Sequence, residues 1–109
     1  MINWIQIIVL ILSVLDLTAT YFYVSTFKTK FPKLDYTVLE ANPILRISWK
    51  LWGLNIGMII GGLIVISLLS LIVLSAKIEW QYFLFGALCM MLIYHFLNFT
   101  QLAALKPAQ

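Results

Sequence analysis

Three long apolar runs dominate this chain of 109 residues and limit what it can fold into. They extend over about residues 4–27, 53–75 and 80–105, and a helix needs roughly 20 apolar residues to cross a bilayer. Only 10% of the residues are charged, whereas soluble domains carry about 25%. We therefore predict an all-α fold, an integral membrane three-helix bundle that forms one domain over residues 1–109 and crosses the cell membrane several times.

The segments between the runs are short and polar. Residues 28–42 form the main loop, and Asn42 followed by Pro43 is typical of a helix start, because Asn accepts from free backbone N–H groups and Pro suits the first helical position. Apolar and basic residues then alternate, so we expect an interfacial helix start over 43–52. No Lys or Arg precedes Lys28, which favours a retained first helix over a cleaved signal peptide.

Basic residues collect on one side of the predicted bundle, which we name the basic face. The opposite face receives Lys77 alone. Positively charged residues flanking membrane helices are enriched on the cytoplasmic side, so we expect the N-terminus outside and the C-terminus in the cytoplasm. The residues of the basic face are Lys28, Lys30, Lys33, Arg46, Lys50 and Lys106.

Three glycines recur at intervals of four residues at the start of the second run. Gly53, Gly57 and Gly61 form two overlapping GxxxG patterns and lie within about 80° on one helical face. Small residues at this spacing let two membrane helices approach closely. The pattern predicts a helix-packing face, with a partner helix either in this chain or in another.

A carboxylate interrupts the first run at Asp16, on a helical face shared with Ser13 and Thr20. A charged Asp in mid-span costs about 2.5 to 3.5 kcal/mol on insertion scales, so we expect this face to turn inward. The third run offers partners in His95 and Asn98. Counted from the basic face, Asp16 and His95 both lie about 15 Å inside, at about 1.5 Å per residue.

The matched depths predict contacts between Asp16 and His95 and between Thr20 and Asn98. Glu40 and Asn42 have two readings: as plain residues at a helix start, where a carboxylate is favourable, or as a lid over the polar residues. The cluster as a whole either joins helices, at about 0.6 kcal/mol per contact, or forms a working site for protons, an ion or a polar substrate. Its candidate residues are Asp16, Thr20, His95, Asn98, Glu40 and Asn42.

No recognised enzyme or metal motif accompanies these residues. Metal sites in helices use spacings such as Glu-x-x-His, which are absent from the sequence, and no serine lies in a nucleophile elbow. Cys89 is the single cysteine and reads as a buried thiol. We therefore expect no cofactor, no metal and no enzymatic activity, and the absence of nucleic-acid recognition signatures excludes that class of partner.

Two short motifs carry a resemblance to a known group of proteins. DLTAT at residues 16–20 and EANP at residues 40–43 resemble an uncharacterised family of small prokaryotic membrane proteins. That family has Asp-x-x-x-Thr in its first helix and Glu-x-Asn-Pro before its second. The resemblance covers roughly residues 4–75 and implies a shared fold and the same choice of polar residues, without implying a reaction.

The sequence is compatible with two different functions. The leading expectation is a small structural or accessory subunit of a larger membrane complex, because the chain has almost no mass outside the membrane and carries a glycine face for packing. The alternative is a homo-oligomeric carrier or channel for protons, a cation or a small polar solute, working through Asp16 and His95. In either case the expected partners are other membrane subunits or further copies of the chain, together with lipid.

Overall fold

The computed structural model describes residues 2–40 and 42–105 and is built almost wholly from helices. Helix α1 spans Trp4–Lys30, helix α2 spans Pro43–Ser75, helix α3 spans Ile78–Ala104, and a short 3-10 helix spans Tyr36–Leu39. All three α-helices are long and apolar enough to cross a membrane. The predicted all-α membrane bundle of three helices is therefore confirmed, while the orientation of its termini stays a prediction. Lys106 lies outside the described residues.

The helix ends follow from local sequence chemistry. Asn3 caps α1, since its side-chain oxygen accepts from the Gln6 N–H at 2.9 Å while the Gln6 amide oxygen accepts from the Asn3 N–H at 2.9 Å. At the start of α2, the Asn42 side-chain oxygen accepts from the Ile44 N–H at 2.9 Å and Pro43 takes the first helical position. The Asn-Pro pair thus begins a helix, as its chemistry predicts.

Helix α2 is broken at Gly53, whose backbone has φ 82° and ψ 177°. Only glycine adopts this left-handed region without strain. The break divides α2 into a short arm, residues 43–52, and a long arm, residues 54–75. Because the backbone leaves helical geometry at Gly53, the two arms need not continue in one direction.

The short arm folds back along the long arm. A Cβ placed on Gly57 would lie 2.5 Å from the Ser48 carbonyl oxygen, and one placed on Gly61 would lie 2.8 Å from the Ser48 hydroxyl and 3.1 Å from Leu45. Residues on the two arms thus meet in pairs that are nearly equidistant from Gly53. This pattern is the signature of an antiparallel hairpin that turns at that glycine.

Helix α1 lies between its neighbours and sets their register. Its direction is opposite to that of the long arm, because Gln6 donates to the Val73 carbonyl at 3.3 Å and the Tyr21 hydroxyl donates to the Asn55 side chain at 2.7 Å. Helix α3 runs parallel to α1, since Asn3 contacts Gln81 at one end and Lys30 reaches Leu102 at the other. Helices α1 and α3 thus both end at the basic face, and the long arm of α2 ends at the opposite face.

One side of the short arm packs between α1 and the long arm, while Ile47 and Leu51 on its other side are 55% and 65% exposed. Leu45 and Trp49 are 2% and 1% exposed and share a core with Leu17, Val24 and Leu54. The sequence predicts an interfacial start over 43–52 because basic residues alternate with apolar ones there. The structure lays this arm along the long arm, because glycine at 57 and 61 leaves room for its backbone, and its position relative to the membrane interface stays a prediction.

This fold-back brings the beginning of α2 deep into the bundle. Leu45 lies beside Gly61, and the next glycine, Gly62, faces Leu17 in the middle of α1. The preceding residues of the loop, Glu40 and Asn42, accordingly line the same cavity as Asp16. Residues 31–40 therefore descend from the end of α1 to the middle of the bundle, and the short arm returns from Asn42 towards Gly53.

Candidate functional site

The centre of the candidate site is a carboxylate and an imidazole held by α1 and α3. His95 Nε2 lies 3.0 Å from Asp16 Oδ1, and the two side chains are only 17% and 14% exposed. The parallel register of the two helices brings them to one depth, which is the juxtaposition that the residue count predicts. Burying a charged group in this setting is costly unless it is paired. Each of the two groups therefore supplies the partner that the other needs.

Thr20 completes the centre one helical turn away. Its hydroxyl donates to the backbone carbonyl of Asp16 at 2.9 Å, and the hydroxyl oxygen lies 3.3 Å from His95 Nε2. With the hydroxyl proton committed to the backbone carbonyl, the second contact is a hydrogen bond when His95 Nε2 carries the imidazole proton. Since Asp16 Oδ1 has no well-aligned hydrogen-bond donor despite its closeness to His95, this oxygen retains acceptor capacity.

Asn98 is not brought to Thr20, because His95 occupies the position beside the Thr20 oxygen. Among residues 2–40 and 42–105, the Asn98 amide makes no hydrogen bond, and the side chain is partly buried. Three residues separate it from His95, so it lies on the same side of α3, nearer to the basic face. The predicted Thr20–Asn98 pairing is thus replaced by a Thr20–His95 contact.

The loop supplies the other wall of the site. Asp16, Thr20 and His95 open into a cavity of about 110 Å³, which is room for a few water molecules or one small solute and far below the roughly 300 Å³ of a drug-sized pocket. Glu40 and Asn42 reach it because the loop descends into the bundle. The full lining consists of Ser13, Asp16, Leu17, Thr20, Glu40, Asn42, Leu45, Val65, Leu69, Leu88, Met91 and His95.

Local hydrogen bonds hold the two loop side chains in place. One carboxylate oxygen of Glu40 accepts from the Asn42 N–H at 2.9 Å, and the Asn42 side chain caps the short arm. These residues thus begin the helix and also line the cavity, while their role as a lid over the polar residues stays a prediction. The first turn of the short arm carries the positive end of its helix dipole, which adds to the field around Asp16.

The three glycines of the repeat have two different roles. Gly57 and Gly61 are packing positions, and the helix that they receive is the short arm of the same chain. Gly53 does not pack: a Cβ there would meet nothing within 4 Å, and its positive φ makes the turn of the hairpin. Its expected place on the packing face is therefore corrected, because the repeat is interrupted by the helix break.

One polar network was not anticipated from the sequence. Near the opposite face, Gln81 accepts from the Asn3 amide at 3.1 Å and donates to the Val73 and Ala76 carbonyls at 3.4 and 3.0 Å. Gln6 donates to the same Val73 carbonyl at 3.3 Å. Gln6 and Gln81 are each an isolated amide in an apolar run, at a similar depth. This matched depth is the sequence feature from which their proximity could have been predicted.

The chemistry available at the cavity is hydrogen bonding and proton exchange. Among the described residues no group of three or more His, Cys, Asp or Glu side chains has the arrangement of a metal site.

Comparisons with known proteins give no further assignment: no family model matches the chain, and neither a curated protein nor a solved structure is similar to it. The resemblance through DLTAT and EANP stays a prediction.

Proposed function

We propose that this multi-pass membrane protein is a small carrier or channel that works on protons, a cation or a small polar solute at the Asp16–His95 pair. The observation that carries the proposal is the descent of the loop to the depth of that pair. A contact that only joins α1 to α3 needs no third element. Here ten residues of α2 fold back, and Glu40 and Asn42 join Asp16 around one cavity.

The groups around the cavity suit a transported proton or a solute that donates hydrogen bonds. Asp16 and Glu40 offer carboxylate oxygens, Thr20 offers a hydroxyl, and His95 can both donate and accept. Ionisable residues within membrane spans are rare, face the interior of the bundle and mark substrate, ion and proton pathways. Discontinuous helices with an end near mid-membrane are also the usual surroundings of transporter sites.

Proton flux in reconstituted vesicles tests this proposal. An imposed pH gradient across vesicles that contain the protein and an internal pH-sensitive dye should decay through the wild type. We expect Asp16→Asn to slow that decay at least about tenfold, because the variant keeps the shape but has no carboxyl proton to exchange. Thr18→Val is the matched control, since Thr18 lies on the exposed side of α1 and bonds only to its own helix.

Equal flux in wild type and Asp16→Asn would refute a proton pathway through this residue. The same comparison is then repeated with ammonium and with a small neutral polar solute in place of the proton gradient. If Asp16→Asn leaves those fluxes unchanged too, the carrier proposal fails. Circular dichroism and gel filtration in detergent accompany each variant, so that loss of folding is recognised as such.

An accessory subunit of a larger complex is the second candidate, and one observation favours it. Apolar side chains are widely exposed along all three helices, including Ile59 at 65%, Phe83 at 64% and Met90 at 71%. Such surfaces suit either lipid or neighbouring helices. Purification in mild detergent tests this candidate, which predicts a reproducible second chain in native mass spectra and fails if the protein is found alone.

A further inference from the structure

The two ends of the bundle are closed by different chemistry, and this difference concerns access to the cavity. Between the cavity and the opposite face lie Ile5, Val9 and Val73, which are at most 1% exposed. The amides of Gln6 and Gln81 lie at the same level and donate to the Val73 and Ala76 carbonyls. Among the described residues, this layer therefore combines apolar packing with amides that are already bonded, so it offers little to draw water inward from that side.

The side towards the basic face also holds buried apolar residues, Val24 and Leu102, but it differs in containing the polar side chain of Asn98. Met91 and His95 line the cavity, and Asn98 follows them by seven and three residues, which puts all three on one face of α3. The Asn98 amide is partly buried and bonds to none of the residues that the structure describes. Leaving an amide unbonded in apolar surroundings costs about 1 to 3 kcal/mol, whereas a water molecule removes that cost.

We propose that water and the protons it carries reach Asp16 from the basic face, along the side of α3 that carries Asn98. This inference rests on the proposed function and adds the direction of access to the site. In this conformation the cavity exchanges water and protons with one side of the membrane. The cavity of about 110 Å³ accommodates water. Thr20, which faces the cavity on α1, forms the second polar wall of the same path.

Thiol labelling measures this access directly. In a Cys89→Ala background, Asn98→Cys and Thr20→Cys are placed in vesicles and treated on one side at a time with a membrane-impermeant methanethiosulfonate. The reagent needs a thiolate, which forms in water and not in lipid. Lys28→Cys and Lys77→Cys, at exposed positions near the two ends of the bundle, identify the basic and opposite faces in the same preparation.

Each test variant has a control at nearly the same depth. Leu97 is 53% exposed on the outer side of α3, and Thr18 is exposed on the outer side of α1. We expect Asn98→Cys and Thr20→Cys to react from the face that labels Lys28→Cys, at least about tenfold faster than Leu97→Cys and Thr18→Cys, because only a hydrated thiol ionises.

Three results would overturn the proposal. Labelling of Asn98→Cys and Thr20→Cys as slow as that of their controls means that neither position is hydrated. Faster labelling from the face of Lys77→Cys reverses the direction of access. Rapid formation of a disulfide dimer by Asn98→Cys under mild oxidation, without labelling, means that a second copy of the chain covers this amide. Flux through Asp16 is measured separately, so failure of access and failure of transport are distinguishable.

Discussion

Two buried polar regions of this bundle differ in how completely their hydrogen bonds are made. In the amide network near the opposite face, Gln81 accepts one hydrogen bond and donates two, and Gln6 closes the cap of α1 while donating to Val73. In the central cavity, Asp16 Oδ1 lies 3.0 Å from His95 Nε2 but has no well-aligned hydrogen-bond donor. A saturated network stabilises helix packing, whereas a group with spare capacity next to a cavity can exchange a proton or bind a solute.

The two regions also differ in how they are assembled. The amide network joins residues that the helix register brings together, as glue between helices does. The cavity needs a loop that descends into the bundle and a helical hairpin that turns at Gly53. Such a detour is costly for a segment in lipid, because its backbone groups must all be satisfied within the protein. The detour therefore favours a working site over a structural one.

The largest expected effect comes from filling the space under the short arm. In Gly57→Ala the new Cβ would lie 2.5 Å from the Ser48 carbonyl oxygen and 2.9 Å from the Trp49 Cα, so the backbone of the short arm has to move. We expect a loss of about 1 to 3 kcal/mol in the free energy of unfolding, as for other overpacked cores. Reversible unfolding in mixed detergent measures it, and transport falls with it because Glu40 and Asn42 leave the cavity.

Gly62→Ala is the matched control for this substitution. Its Cβ would meet only Leu17, at an ordinary contact distance of 3.7 Å. We expect little change in stability or flux. If Gly57→Ala is as stable as Gly62→Ala, the short arm is not packed against the long arm, and the comparison between the two polar regions loses its structural basis.

The next largest effects distinguish the amide network from the central cavity, because substitution in one should reduce stability and substitution in the other should reduce flux. Gln81→Leu removes three side-chain hydrogen bonds, and polar contacts between membrane helices average about 0.6 kcal/mol each, with a maximum near 1.7. We expect unfolding to become easier by about 1 to 2 kcal/mol while flux per folded molecule is unchanged. Asp16→Asn should show the reverse, with flux lost and stability nearly retained.

Both variants are measured by the same unfolding titration and the same vesicle assay. Should Gln81→Leu reduce flux as strongly as Asp16→Asn, the two regions would not differ in function. Should Asp16→Asn cost more stability than Gln81→Leu, the central pair would be mainly a packing contact. Either result would remove the distinction between a saturated and an unsaturated region.

The smallest effect concerns the loop outside the spanning helices. Asp35 accepts hydrogen bonds from the Thr37 hydroxyl and the Thr37 N–H at 2.6 and 3.0 Å, and these hold its pKa below the ordinary value of 3.8, with a further contribution from Lys50. A lowered pKa in the folded state means that the stabilisation is present above the unfolded pKa and is lost as the pH falls through the folded one.

Melting of wild type and Asp35→Asn at a series of pH values checks this sign. The wild type should have the higher melting midpoint at neutral pH, and the difference should shrink as the pH falls below about 4, where the carboxyl of the unfolded chain becomes protonated. The effect should be small, because the carboxylate is exposed. A difference that stays constant with pH would mean that Asp35 does not cap the 3-10 helix by its charge.

Much of the architecture follows from the sequence because hydrophobic length is a strong constraint. Three runs long enough to span give three helices, and counting residues from the basic face brings Asp16 to His95. Asn42 and Pro43 mark a helix start through local chemistry alone. These features depend on neighbouring residues or on helix geometry, which a single sequence contains.

The hairpin of α2 is not deducible in the same way. A glycine at 53 is compatible with a straight helix, a kink or a reversal, and the choice depends on the fit of Ser48 and Trp49 against Gly57 and Gly61. That fit is tertiary. The position of Glu40 beside Asp16 depends on it in turn, which is why the sequence leaves open whether Glu40 serves the helix end or the site.

The central claim is that Asp16 belongs to a hydrated site and exchanges its proton, and infrared spectroscopy of the protein in bilayers tests it most directly. Difference spectra between ordinary and heavy water, recorded for wild type and Asp16→Asn, isolate the infrared bands of the Asp16 carboxyl group. We predict that these bands shift within seconds of the change of solvent, because water reaches the group. Bands of Asp16 that stay unchanged in heavy water would contradict the account.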